Sequence, residues 1–364
     1  MKVFLDSNVF VKKNWFVSNA NFKLLFHFLN NNHNELLLSK LVIQEVNNIR
    51  DRELSEVLSG FKKLIKDGNK LNKQKLVFSE SELGVSSYNI SSILTDKVHY
   101  IEQINYDEIS HIEVVNRALK LVKPFTGEEK GYRDTLIWLS FLNYLKKNNV
   151  TGDVAFITNN KSDFFKQNRS SLAFNDDLKN DIENFGLKTN IIPYLNIFDF
   201  ITDKVDKIEN SINKYEILDD LESFLIEETE EYLDSMTNHN LSDLLSAKVF
   251  SDKLTAVIDI ESDIFEGVED PDVQSVSQLP ENNVYISCYY EMRRVDLVIT
   301  IETIEYKQHA DEIEAIRGLY NIEIDEGVVK LSFICRLCID ASFEYDTAIE
   351  LGSNLTIHDI QTQS

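Results

Sequence analysis

The chain opens on a run of apolar positions, Val3-Phe4-Leu5, that ends in Asp6-Ser7-Asn8 before apolar character returns at Val9-Phe10. A short unbroken apolar run closed by polar residues predicts a strand buried on both faces, as in a parallel sheet. Asp6 then stands at the strand's carboxyl end, where open parallel sheets place their ligand crevices. Residues 21–30, with Phe22, Leu24, Leu25, Phe26, Phe28 and Leu29, predict a helix that breaks at Asn30-Asn31-Asn32. Residues 35–39 predict a second buried strand, with Ser39 capping the next helix. In that helix Leu41, Val42, Val46 and Ile49 share a face, and Glu45, four residues from both Leu41 and Ile49, points the same way. A carboxylate in that position is either paired or metal-bound, because burying it alone is costly. Lys40, Arg50 or another cation is the pairing alternative.

Residues 53–123 read as largely helical, through Leu54, Val57, Leu58, Phe61, Leu64 and Ile65 and then Ile109, Ile112, Val115, Leu119 and Val122, with a serine-rich loop at 79–92. Lys62, Lys63, Lys66, Lys70, Lys73 and Lys75 form a stripe that is either a solvated face or a phosphate-contacting one. A Pro/Gly-marked loop from 124 leads through Gly131-Tyr132-Arg133-Asp134 into a strongly apolar helix containing Leu136, Ile137, Trp138, Phe141, Leu142 and Leu145. Asp134 precedes Ile137 and Trp138 by three and four residues and so faces inward from the first turn. The alternative is an acid placed there for the helix dipole. Residues 153–158 predict another strand, and Asp163 follows it, again just beyond a carboxyl end, as a site residue or as a turn or cap. Helices near 171–185 and a strand at 188–192 complete the sheet.

Residues 207–236 predict an amphipathic helix, with Ile208, Ile212, Tyr215, Leu218, Leu221, Leu225 and Met236 set among acids. Beyond it the period changes from helical to two. Val329, Leu331, Phe333, Cys335, Leu337, Ile339, Ala341 and Phe343 alternate with mostly polar residues, the mark of an antiparallel strand. Residues 284–290 and 295–301 predict two more strands, with Met292-Arg293-Arg294 as a turn or bulge, and 263–278 reads as an acidic loop. The expected division is 1–203, a connector at 204–240, and a β-rich acidic domain at 241–364.

Charge sharpens this division. Residues 1–200 hold 26 Lys and Arg against 24 Asp and Glu, and residues 201–364 hold 11 against 37, giving halves of +2 and −26 within the net −24. The first half can approach phosphates, and the second should repel them. The acids of the second half could imitate nucleic acid, restrain the first half or bind a basic partner; the plainer reading is an interaction domain with a charged outer face. Three cysteines do not make a disulfide framework, and Cys335 and Cys338 fall on opposite phases of one strand. With no apolar stretch of bilayer length and no leader pattern, a cytoplasmic protein without membrane contact is expected.

Asp6 with Asn8, then Glu45, then Gly131-Tyr132-Arg133-Asp134 before an apolar helix, then Phe156-Ile157-Thr158-Asn159-Asn160-Lys161-Ser162-Asp163-Phe164 together resemble the motifs of PIN-domain nucleases. The resemblance covers residues 1–203 and none of the remainder. It implies a doubly wound α/β sheet, here with a helical insertion, and a Mg²⁺- or Mn²⁺-dependent endonuclease that most often acts on RNA. By position, Asp6, Glu45, Asp134 and Asp163 would be the metal-binding catalytic acids, Asn8, Thr158 and Asn159 would orient them, and Arg133 and Lys161 would contact phosphate. A bacterial defence or toxin setting, with regulation or self-association through the acidic half, is consistent with the resemblance. The competing expectation is a catalytically silent scaffold that binds RNA or protein.

Overall fold

The computed structural model describes residues 1–11, 14–31, 34–73, 87–126, 130–168, 171–205, 221–255, 257–265 and 267–363. Two compact units divide the chain. One comprises Met1–Ser18 and Leu25–Val205, the other Asn19–Leu24 and Asp206–Ser364.

The first unit is built on five parallel strands, β1 (Lys2–Leu5), β2 (Glu35–Ser39), β3 (Ile101–Ile104), β4 (Gly152–Ile157) and β7 (Thr189–Tyr194), in the order β3-β2-β1-β4-β7. A β5 (Phe165–Asn168) and β6 (Ser171–Phe174) hairpin stands apart from them. Around the sheet run α1 (Ala20–Asn31), α2 (Lys40–Leu71), α3 (Ile90–Thr95), α4 (His111–Lys120), α5 (Tyr132–Lys147), α6 (Lys161–Phe164), α7 (Asp176–Phe185) and α8 (Ile197–Lys204). The expected doubly wound sheet is present. Its apolar runs are buried on both faces: Val3, Phe4, Leu5, Leu36, Leu37, Leu38, Val154, Ala155, Phe156 and Ile157 are all 0 % exposed. The rings of Phe4 and Phe156 stack at 5.0 Å, and Trp138 and Phe141 of α5 close on Phe156. Each such ring contributes roughly 1.5–3 kcal/mol by burial.

Several expectations for this unit change. The 53–123 region contains a strand, β3, whose Ile101-Glu102-Gln103-Ile104 carries two exposed polar residues at a sheet edge and so gives no apolar signal. On α4 the buried positions are Val114 and Arg117, while Ile112 and Leu119, two of the apolar positions behind the helical reading, are 72 % and 78 % exposed. The cause is electrostatic. Arg117 pairs with Asp181 through both terminal nitrogens at 2.8 and 2.7 Å, and Trp138 Nε1 donates to the same carboxylate at 2.9 Å. The expected helix near 171 begins instead with β6, and only Asp176–Phe185 is helical. Of the expected serine-rich loop, 79–86 lies outside the described residues, as does Lys75, and Ile90 already opens α3.

The second unit begins, after residues 206–220 that lie outside the described part, with α9 (Glu222–Asp234), α10 (Asn238–Leu244) and α11 (Val249–Asp252). A six-stranded antiparallel sheet follows: β8 (Asp259–Ile264), β9 (Val268–Gln278), β10 (Asn283–Glu302), β11 (Leu319–Ile324), β12 (Val328–Asp346) and β13 (Leu351–Thr362), with α12 (Thr303–Glu314) between β10 and β11. The alternation anticipated for β12 holds, with Val329, Leu331, Phe333, Leu337, Ile339, Ala341 and Phe343 at most 1 % exposed. The two strands expected at 284–301 are one, β10, with its register shifting between Met292 and Val295. The acidic stretch at 263–278 is not a loop. It supplies the end of β8 and all of β9, where an edge position tolerates Pro271, which cannot donate to a ladder. Among the described residues no helix is long and apolar enough to cross a membrane.

Candidate active site

In a parallel sheet all carboxyl ends lie on one edge, and here the chain builds outward from β1 through β2 to β3 on one side and then crosses to add β4 and β7 on the other. The crevice between β1 and β4 is therefore the topological switch point, the favoured ligand position of open α/β sheets. Asp6 occupies it. Its backbone N–H still donates to Ile157 at 3.1 Å, so the ladder is intact to the last residue, and its side chain caps the short 3-10 turn Ser7–Val9.

The Asp6 carboxylate, 1 % exposed, accepts the Ser7 N–H at 2.7 Å and the Thr158 hydroxyl at 2.6 Å. Thr158, the first residue past β4, accepts in turn from Asn8 Nδ2 at 3.0 Å and from the Asn160 N–H at 3.1 Å. Asn8 Oδ1 accepts the Asn159 N–H at 3.0 Å, and Asn159 Nδ2 donates to the Asn8 carbonyl at 3.3 Å. Four residues singled out in the sequence thus form one network joining the ends of two central strands.

The other three acids surround it. Glu45 projects from the second turn of α2 and forms an ion pair with Arg133, so of the alternatives open in the sequence it takes a cation, though neither Lys40 nor Arg50. Asp163, in α6, accepts from Asn160 Nδ2 at 3.0 Å and lies 3.5 Å from Lys123 Nζ. Asp134 sits half-buried in the first turn of α5, and its carboxylate makes no hydrogen bond or ion pair among the described residues. That helix start is set by Gly131 at φ +109°, where a Cβ would lie 2.5 Å from the Pro124 carbonyl oxygen.

Electrostatics ties the four together. Burial, followed by the charges of Asp6, Glu45 and Asp163, raises the Asp134 pKa to about 7 against a pull downward from Arg133. Burial also raises Asp6 to about 6, opposed by the Thr158 and Ser7 hydrogen bonds and assisted by Glu45. Four hard oxygen-donor side chains in one field are a donor set that suits a divalent cation. Among the described residues no three His, Cys, Asp or Glu side chains converge closely enough to hold a metal ion. Glu45 and Asp163 are engaged by Arg133 and Lys123 instead.

Lys123 had no sequence signal beyond its place before Pro124. It is held by the buried network behind α4: Arg117 donates to the Lys123 carbonyl at 2.5 Å, and the Lys123 N–H donates to Asp177 at 3.0 Å. Its ammonium group then donates to the Ser162 carbonyl at 3.0 Å beside Asp163. Lys161 is exposed on α6, and Lys63, Lys66 and Lys73 are exposed along the distal part of α2 and just beyond it. Lys70 pairs with Asp67 at 2.6 Å.

No curated protein and no solved structure matches the chain. A parallel β3-β2-β1-β4-β7 sheet with Asp6 at its switch point agrees with the one family comparison that does match. Residues 3–164 match the model of the PIN domain, a family that commonly has nuclease activity and typically uses divalent metals.

Proposed function

We propose that the protein is a divalent-cation-dependent endonuclease that hydrolyses phosphodiester bonds in RNA in preference to DNA. The observation that carries this reading is the Asp6–Thr158–Asn8–Asn159 network at the switch point of a PIN-domain sheet, with Glu45, Asp134 and Asp163 disposed around it. Asp6, Glu45, Asp134 and Asp163 would hold Mg²⁺ or Mn²⁺. The cation would supply an activated water and a counter-charge for the phosphate and the departing oxygen.

The chain's own residues have distinct tasks in this scheme. Asp6 is kept in one rotamer by Thr158 and Ser7, so its position is fixed before any ligand arrives. Asn8 and Asn159 hold the two strand ends at a constant separation. Asp134, the acid with the higher pKa, is the one whose charge depends most on a neighbouring cation. Arg133 and Lys123 already lie against Glu45 and Asp163, and with a cation bound to those acids they would be free to face phosphate, as exposed Lys161 is. We place the protein in the cytoplasm and read its acidic second unit as a module for regulation or self-association, in keeping with a defence or toxin role.

The same two ion pairs support a second reading, a silent scaffold that binds RNA or protein, in which Arg133 and Lys123 neutralise the acids permanently. Cleavage of labelled single-stranded RNA and DNA with Mn²⁺, Mg²⁺ or EDTA, beside Asp134→Asn, separates the two. Metal-dependent cutting of RNA that is lost in the variant is expected of the nuclease. RNA binding without cutting, unchanged in the variant, would sink it in favour of the scaffold.

A further inference from the structure

Acids outnumber basic residues by more than three to one over residues 201–364, and only four arginines occur there. Three of those four, Arg293, Arg317 and Arg336, line a single cavity of about 540 Å³ in the second unit, and no acid is among its lining residues. Such a concentration of guanidinium groups opposes the charge of the unit around it.

The arginines come from three elements that are locked together. Arg293 lies in the β10 bulge between Met292 and Val295, an irregularity of the kind that re-aims a side chain. Arg336 lies on β12. Arg317 is in the turn between α12 and β11, and that turn is seated directly on β12. The Ile334 N–H donates to the Gly318 carbonyl at 2.9 Å, and Gly318, at φ +89°, has no room for a Cβ, which would lie 2.8 Å from the Ile334 oxygen. Also among the lining residues, the Gln363 N–H donates to the Arg336 carbonyl at 2.8 Å, and the Thr362 hydroxyl donates to the Leu244 carbonyl at 3.1 Å.

The guanidinium groups are not consumed by this construction. Arg293 pairs with Glu269, and one terminal nitrogen of Arg336 donates to Glu291 at 2.6 Å. Arg336 Nε is buried with no hydrogen-bond partner, and Arg317 makes no ion pair or side-chain hydrogen bond among the described residues. A buried donor left unmatched is costly and rare in native folds. A planar fork of N–H donors suits a phosphate, and the volume lies in the range of roughly 300–1,000 Å³ that small-molecule sites occupy. Leu245 and Ile334, the latter 42 % exposed, add an apolar surface for an uncharged, flat portion of the same ligand.

We propose that the second unit carries a binding site for a phosphorylated small molecule of nucleotide size, with the phosphate held between Arg317 and Arg336 and the body against Leu245 and Ile334. This site is separate from the acid cluster of the PIN domain and does not depend on the nuclease reading.

The test is isothermal titration calorimetry of the full chain in EDTA, which removes metal-assisted phosphate binding at the acid cluster. The probes are AMP, ATP, adenosine, inorganic phosphate and a 5′-phosphorylated oligonucleotide. Saturable binding of AMP or ATP but not adenosine is expected, weakened about tenfold or more in Arg317→Gln by loss of charge-assisted hydrogen bonds. Ser246→Asp adds a carboxylate to the exposed rim without removing any contact and should abolish binding. Both substitutions are at exposed positions, and the unliganded melting temperature checks each fold. Absence of saturable binding at millimolar phosphate compounds, or equal binding by both folded variants, overturns the proposal. Binding of the oligonucleotide alone assigns the cavity to a nucleic-acid end and overturns the small-molecule assignment.

Discussion

The Thr158 hydroxyl donates a 2.6 Å hydrogen bond to Asp6 and thereby fastens the end of β4 to the end of β1. Both residues are essentially sealed from water, at 0 % and 1 % exposure. Thr158→Val keeps the shape and removes the donor, leaving a buried carboxylate with one fewer partner. A stability loss of about 1–3 kcal/mol at neutral pH is expected, read from urea unfolding. The Asp6 pKa should rise further, since that bond is the largest influence now holding it down. Thr158→Ser should restore both properties.

Asp134 and Asp6 give the stability a defined pH dependence. Each has an unfolded value of 3.8 and a folded value raised to about 7 and about 6 respectively, so the folded chain keeps these protons longer than the unfolded chain does. Stability is therefore favoured below about pH 4, falls as pH rises through about 6 to 7, and is level above that. Asp134→Asn removes the larger part. In EDTA it should stabilise the protein at pH 8 by on the order of 2–4 kcal/mol and have little effect at pH 4. Thermal unfolding at the two pH values, with and without Mn²⁺, checks this. Added cation should raise the wild-type transition at pH 8 more than that of the variant.

Gly131→Ala should be damaging well beyond a methyl group's volume. Both the positive φ and the 2.5 Å approach to the Pro124 carbonyl oppose a Cβ, so the loop or the start of α5 must move. A loss of roughly 1–3 kcal/mol is expected for the backbone strain alone. Because Asp134 lies three residues on, cleavage should fall together with stability, whereas Gly60→Ala in α2, with open space at that Cβ position and no positive φ, should leave cleavage near wild type.

Arg117→Met strands Asp181 in the interior, where the carboxylate keeps only the Trp138 N–H. Removing one partner of a buried pair costs about 3–5 kcal/mol, so this should be the most destabilising of the substitutions considered. Denaturant unfolding beside the double variant Arg117→Met/Asp181→Leu gives the check, since the double change should recover much of the loss.

What was legible in the sequence was whatever a short apolar run could encode. β1, β2 and β4 are unbroken apolar segments, each ending in a polar residue, and from them followed Asp6, Ser39 and Thr158 at one sheet edge. Glu45 and Asp134 were legible because each shares a helical face with core residues. Lys123 was not, because its place beside Asp163 depends on Arg117 and Asp177, the latter 54 residues away in sequence. The buried face of α4 was not legible because it contains an arginine, and hydropathy does not register a charge neutralised by tertiary contact. β9 was hidden by acids and Pro271, which an edge strand accepts and a central strand does not. The arginine cavity draws on positions 293, 317 and 336, far apart in sequence, and only the pairing of β10 with β12 and the seat of Gly318 on β12 bring them to one place.

β10 pairs with β12 along almost its whole length, but on its other edge it pairs with β9 through its first half and with β8 through its second, the exchange falling at the Met292–Val295 bulge. Two short strands therefore depend on one long one, and neither half of the sheet can open without exposing the strand that the other half also needs. Amide protons in the middle of β10 should be the last of the sheet to exchange with solvent, and the second unit's sheet should melt as a single cooperative block.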